Sequence, residues 1–358
     1  MTPRLLSLLR CPLTGDELRL QVISTGTGTA AAGVKDGILF SPSSFFFPVI
    51  NGIPRMNLDA FRVYEKFLKQ HVSDYLARAG RLQETYRDLL ADSSKKNRKT
   101  IRSFESEWKG FDEKVDRTWD EDADGMLRRF YRETGETAAS LHNKLVFDAG
   151  CGNGILDLLL AREGIEIVAM DFTRSVERPA QQAENTKAMF VQGDVAWPPF
   201  ARQGFDIVHC SGVLVHMADP GKIFSTLAGY PRPGGKLSIW VYHPQRDPLH
   251  RLMVASRKPV SRLSLPLQKL LISTVLLPLS WIIKKLKGNR QSIREMKTDL
   301  ADHYTPEYRR EFTHDTIRNW FASHNYEDIR HTTVERFGFN TTGIRVTGQD
   351  VPINASNG

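Results

Sequence analysis

Between positions 145 and 242 the chain repeats one pattern: a short apolar run, a polar or glycine-rich break, then apolar residues at helical spacing. Leu145, Val146 and Phe147 end in Asp148. Residues 165–170 end in Asp171, Ala188–Gln192 in Gly193 and Asp194, and residues 205–210 (FDIVHC) in SGVLVHM. The fifth run, Pro231–Tyr242, opens on PRPGG. Runs of this length without polar alternation predict strands covered on both faces. Their separation by helical segments predicts a doubly wound α/β sheet. Downstream, Ile317, Trp320 and Phe321 predict a helix capped near Thr313 or Asp315, and 326–334 and 343–347 read as two last strands.

The first break, AGCGNG, carries Gly150, Gly152 and Gly154. Glycine takes positive φ and lets a ligand approach the backbone. A ligand there sits at the carboxyl ends of the strands, where open α/β sheets bind nucleotides. Asp171, at the tip of the second strand, is positioned to take both hydroxyls of a ribose. The dinucleotide fingerprint G-x-G-x-x-G needs a third glycine at 155, where Ile155 stands.

Together these features resemble the class I S-adenosylmethionine (SAM)-dependent methyltransferases over residues 141–242. The resemblance rests on the glycine turn with its leading acid Asp148, on Asp171, on the Gly193-Asp194 pair and on PGG before a strand. It implies a seven-stranded Rossmann-like sheet and SAM as cofactor. It further implies that Asp148 fixes the methionine ammonium, that Gly150, Gly152 and Asn153 line the turn, and that Asp171 takes the ribose. Phe172 would pack on the adenine, Asp194 accept from its amino group beside Val195, and Ser211 close the site. The segment 211–220 is similar to the "GVLHH…DP" stretch of small-molecule methyltransferases, with Val215 in place of the first histidine and His216 keeping the second. A base for an oxygen or nitrogen acceptor is most simply a histidine. His216 is the first candidate and His243, after the fifth strand, the second.

Residues 1–57 resemble the small zinc-ribbon-like unit found with some methyltransferases: Cys11-Pro12 opens it, Phe47-Pro48 and Gly52-Ile53-Pro54 close it. Thr14, Ser41 and Ser44 stand where further cysteines belong, and one thiol with three hydroxyls is not the ligand set of structural zinc. A metal-free unit with Phe45–Phe47 as core is expected. Residues 58–140 read as a helical linker and cap, with Phe61, Tyr64, Phe67 and Leu68 at helical spacing. The methyltransferase domain spans 141–348, with an insertion at 244–303, and 349–358 reads as a disordered tail.

Composition adds three things. Lys and Arg number 49 against 41 Asp and Glu, a net charge of +8 that mildly favours anionic partners. Three scattered cysteines give no disulfide framework and fit a reducing, cytoplasmic setting. The insertion is strongly apolar, but Pro266 and Pro278 interrupt it and no 18-residue apolar run exists, so no membrane span is expected. It reads as a lid of short helices over the acceptor pocket, or as an amphipathic contact between 263 and 290 with a membrane surface. The expected activity is methyl transfer to oxygen or nitrogen of a small or lipid-like metabolite. The alternatives are an RNA methyltransferase and a non-catalytic partner subunit.

Overall fold

A computed structural model describes residues 1–26, 33–91, 103–105, 122–245, 247–286, 288 and 291–346. The basic tract 93–99, the aromatics Trp108, Phe111 and Trp119, Lys287, Arg290 and the tail 349–358 lie outside the described residues.

The central sheet has seven strands in the order β10-β11-β9-β8-β5-β6-β7. β5 (Leu145–Ala149), β6 (Glu166–Asp171), β7 (Ala188–Gln192), β8 (Phe205–Ser211) and β9 (Pro231–Tyr242) run parallel. β10 (Tyr326–Val334) and β11 (Gly338–Arg345) close the far edge antiparallel. This is the expected doubly wound, seven-stranded Rossmann-like sheet. The five parallel strands are buried along nearly their whole length, which is why they appear in the sequence as apolar runs rather than alternations. Thr313 caps the helix His314–Ser323 by accepting from the Thr316 amide, and Asp219 caps Pro220–Leu227 through the Lys222 amide.

The N-terminal unit is a four-stranded antiparallel sheet, β1 (Arg19–Thr25), β2 (Val34–Phe40), β3 (Phe46–Ile50) and β4 (Ile53–Pro54). Phe45, Phe46 and Phe47 are all buried because both faces of β3 are covered. Phe46 meets Phe61 and Tyr75 on one side, and Phe45 meets Phe47 and Tyr86 on the other. Beside Cys11, the hydroxyls of Thr14, Ser41 and Ser43 bond one another and the Asp16 carboxylate. Ser43, not Ser44, completes this cluster. Among the described residues no group of three or more His, Cys, Asp and Glu could hold a metal.

This unit docks on the β7 edge of the large sheet. The Met56 amide donates to the Gln192 carbonyl at 2.7 Å, and the Arg10 amide to that of Pro199 at 2.8 Å. Arg55, 2% exposed, pairs with Glu177 at 2.9 Å and lies over the Tyr64 ring.

The insertion corrects one expectation. Helix α10 (Pro248–Val260) leads into Leu265–Leu286, a single helix α11 of 22 residues rather than two or three short ones. Pro266 falls in its first turn, where the missing N–H has no partner to lose. Pro278 follows a π-helical stretch, Ile272–Leu276, whose altered hydrogen bonding absorbs the proline without ending the helix. By length and composition alone α11 is long and apolar enough to cross a membrane, although Gln268 and Lys269 lie within it. Helix α12 (Ile293–Tyr304), with a capping box at Ser292 and Glu295, returns the chain to the sheet.

Candidate active site

The glycine turn follows β5. Gly150, Gly152 and Gly154 all have positive φ. A Cβ on Gly150 would lie 2.3 Å from Val213 Cγ2, so the turn is pressed directly against the segment after β8. The Gly150 and Cys151 amides donate to the Met170 carbonyl, and Asn153 Oδ1 accepts from the Ile155 amide at the start of the next helix, α7 (Ile155–Arg162).

Asp171 braces this turn from β6. Its Oδ2 accepts from the Gly152 amide at 3.1 Å, and its Oδ1 from the Thr173 amide at 2.8 Å and the Thr173 hydroxyl at 2.7 Å. A carboxylate has about four acceptor sites, so with three filled Asp171 keeps acceptor capacity for a ligand hydroxyl. Burial pushes the Asp171 carboxyl up to about 6, against the opposing pull of the Thr173 and Gly152 bonds. At neutral pH it is largely ionised. The Phe172 carbonyl is held by Gln192 Nε2 and by Asn57 Nδ2, which comes from the N-terminal unit. Asp194, half-buried after β7, accepts from the Ala196 amide at 2.9 Å, and Val195 is buried beside it. Ser211, half-buried, ends β8. The expected cofactor residues therefore gather at the carboxyl ends of β5, β6, β7 and β8.

Asp148, expected to fix the methionine ammonium, is bonded within the protein. Its Oδ1 accepts from His209 Nδ1 at 2.9 Å, while His209 Nε2 donates to Glu133 Oε2 at 2.9 Å. Glu133 lies on helix α5 (Ala123–Thr134), which Asp122 caps, and it also pairs with Arg129. Burial alone would lower the His209 pKa, but Asp148 and Glu133 on either side raise it to about 10. The ring is thus an imidazolium at neutral pH. Asp157, fully buried in the first turn of α7, is driven well above the usual carboxylate range by burial and by Asp148. Arg129 and the His209 imidazolium thus sit among the carboxyl groups of Glu133, Asp148 and Asp157 beneath the turn. Asp148 is thus engaged by this network through Oδ1.

A second cluster surrounds His216, in a short 3-10 turn after β8. The ring is 3% exposed, and Nδ1 lies 3.0 Å from the Tyr308 carbonyl. A carbonyl only accepts, so Nδ1 carries the proton and the neutral ring presents a lone pair at Nε2. Burial lowers the His216 pKa, which keeps the ring neutral. Nε2 is 3.6 Å from Asp302 Oδ1 on α12, and the Tyr242 hydroxyl donates to Asp302 Oδ2 at 3.0 Å. Phe104 packs edge-on at 5.2 Å, and the Arg309 guanidinium lies 4.2 Å above the Tyr242 ring. The insertion and the segment before β5 thus meet over His216.

His243 does not join this cluster. Tyr242 faces His216, and the next side chain along a strand points to the opposite face. The His243 ring nitrogens lie 3.1 and 3.0 Å from the Pro244 and Glu335 carbonyls, and a neutral ring can donate to one of the two. Sequence reasoning had missed His209, Glu133, Asp302, Arg309 and Asn57. A usable signal existed for His209, a strongly polar residue at a buried-strand position.

A methyltransferase-domain family model matches residues 147–239. The matched span runs from β5 into β9 and contains both the glycine turn and His216. Among curated proteins, the ubiquinone biosynthesis O-methyltransferase of Vibrio parahaemolyticus is 31% identical over 141 residues, covering 36% of this chain and 59% of that protein. The protein of the same name from Coxiella burnetii is 30% identical over 105 residues, covering 28% and 45%. The chain thus spans about half the length of the curated relatives it matches. Among solved structures, magnesium protoporphyrin IX methyltransferase (ChlM) from Synechocystis PCC 6803 with bound SAH is 18% identical, covers 69% of this chain and 99% of that one, and has a TM-score of 0.40. A putative methyltransferase from Bacillus halodurans is 13% identical, covers 62% and 99%, and has a TM-score of 0.39.

Proposed function

We propose that the protein is a SAM-dependent methyltransferase that methylates an oxygen of a small or lipid-like metabolite. The observation that carries the cofactor half is Asp171: an ionised carboxylate at the tip of β6, braced by the Gly152 amide, with one acceptor site to spare beside a glycine turn. SAM, when bound, supplies a methyl group on a sulfonium that leaves without protein assistance. The backbone of Gly150, Gly152 and Asn153 would take its amino-acid part, Asp171 one ribose hydroxyl, and Asp194, Val195 and Phe172 the adenine. Ser211 would border the methyl group.

The chain's own contribution to the chemistry is a base and its orientation. His216 Nε2 carries the lone pair that takes the acceptor's hydroxyl proton, and the Nδ1 bond to Tyr308 fixes the ring. Asp302, held by Tyr242, stabilises the imidazolium that results. With the ring nearly fully buried, an acceptor reaches Nε2 only when Asp302 or Phe104 yields. The relatives named as O-methyltransferases support oxygen as the acceptor atom. The hydroxyl cluster at Cys11 supports reading residues 1–57 as a ribbon-like unit that has lost its metal ligands.

Calorimetric titration with SAM and S-adenosylhomocysteine tests the cofactor assignment. Micromolar binding is expected, weakened at least tenfold in Asp171→Ala and falling below about pH 6 as Asp171 protonates. Unchanged affinity in a folded Asp171→Ala variant removes the assignment.

A further inference from the structure

Helix α11 is unusually bare for its composition. Leu267, Leu270, Val275, Leu279, Trp281, Ile282 and Leu286 are all exposed, the last by 84%, and Leu263 before it is exposed too. Only 11% of its most apolar window is buried. The buried side is narrow: Ile272 packs on Val260, Leu300 and Tyr304, and Gln268 Nε2 donates to the Val260 carbonyl. A contiguous apolar face of this kind marks a surface that something else covers.

Charge identifies what covers it. Residues 248–304 hold eleven Lys and Arg against three Asp and Glu, an excess of eight, which equals the net charge of the whole chain. The remaining residues balance. From Pro248 to Arg294 there is no acidic residue at all. The basic residues gather before and after the apolar stretch: Lys258 and Arg262 precede it, and Lys284, Lys285 and Lys287 end it. Two copies packed through this face would bring these charges together and repel. RNA would be met by charge without use for eight bare apolar side chains. An anionic bilayer takes both, with lipid chains against the leucines and headgroups against the lysines.

The geometry also fixes the orientation. The helix, about 33 Å long at 1.5 Å per residue, is tied to the domain near both ends. Near its start, Gln268 bonds Val260, and Arg257 on the preceding helix reaches the His303 carbonyl at 2.8 Å. At its end, Lys284 pairs with Asp299 at 3.0 Å, and Asp302 three residues on is bonded to Tyr242 of the sheet. A helix fastened this way lies along the domain and cannot stand across a bilayer.

We propose that α11 lies in the surface of an anionic membrane, apolar face down, as a monotopic anchor. The same helix α12 that fastens it carries Asp302, so the His216 corner lies next to the docked face. On the function proposed above, the acceptor is then a lipid with its reactive group near the headgroups. Only that last step rests on the methyltransferase reading; docking does not.

Co-sedimentation of the full chain with phosphatidylcholine vesicles, with and without 25% phosphatidylglycerol, tests docking. Binding is expected only to the anionic vesicles, weaker in high salt, with a blue shift of tryptophan emission that Trp281→Phe abolishes. A single basic side chain near such a surface is worth roughly fivefold in partitioning. The triple variant Lys258→Glu, Arg262→Glu, Lys285→Glu is therefore expected to bind about 100-fold more weakly. Leu279→Ser with Trp281→Ser, both at exposed positions, should weaken binding while leaving SAM affinity and melting unchanged. No binding to anionic vesicles by a chain that binds SAM overturns the proposal, as does vesicle binding that neither variant reduces. A dimer sealed through α11, or RNA binding in its place, overturns it too. Resistance to extraction at pH 11 overturns the in-plane orientation. Loss of SAM binding with docking intact would instead count against the function.

Discussion

The buried imidazolium of His209 makes stability depend on alkaline pH in a way that can be worked out in advance. Its pKa is about 10 in the fold against 6.5 as a free side chain. A group raised on folding contributes stability that is fully present below its unfolded pKa and is lost as pH rises through its folded pKa. The window is therefore pH 6.5 to about 10. A shift of this size corresponds to at most about 5 kcal/mol, lost at up to about 1.4 kcal/mol per pH unit. His209→Phe keeps a ring for Phe130 to pack against but removes both donors, leaving Glu133 and Asp148 buried without the cation between them. Breaking a buried pair in this way costs about 3–5 kcal/mol near neutral pH. Urea denaturation of both proteins, at half-unit steps from pH 6 to 9.5, reads the difference. The wild-type advantage should be largest at pH 6 and shrink steadily upward. An advantage that stays constant with pH would mean that the ring is neutral in the fold, and the imidazolium beneath the glycine turn would be wrong.

Other perturbations probe the remaining joints. Gly150→Ala places a methyl against Val213 in a left-handed backbone conformation, and a loss of about 3 kcal/mol with impaired SAM binding is expected by thermal melting and calorimetry. Arg55→Ala removes the buried cation that links Glu177, Gln192 and Tyr64 across the two sheets. It should cost about 2–3 kcal/mol, tempered by the partial exposure of Glu177, and loosen SAM binding through Gln192 and Phe172. His216→Ala should lower methyl transfer about 10²–10⁴-fold while the SAM dissociation constant stays put; a parallel loss of SAM affinity would make His216 structural.

The sheet was legible because each of its parallel strands announces itself locally, as an apolar run with a polar tip. The corner proposed for the cofactor was legible for the same reason: Gly150, Gly152, Asp171 and Asp194 all sit where runs end, and end-of-strand position is a sequence-local property. What a side chain does once there was less so. Asp148 and His209 are 61 positions apart and face each other only because β5 and β8 are register neighbours, so nothing near Asp148 signals that its carboxylate is already engaged. His243 and His216 looked alike as strand-end histidines, and strand parity separated them once the face of Tyr242 was known. The insertion failed for a different reason. Proline in a sequence reads as a helix breaker, yet its effect depends on whether the surrounding turns need the N–H it lacks. Pro266 at a helix start and Pro278 after a π-turn leave no such need. Once that is seen, the segment that interrupts the sheet is also the one that carries the chain's entire net charge. On the function proposed here, the cofactor would bind on a body without net charge and the acceptor would enter from the charged, apolar flank.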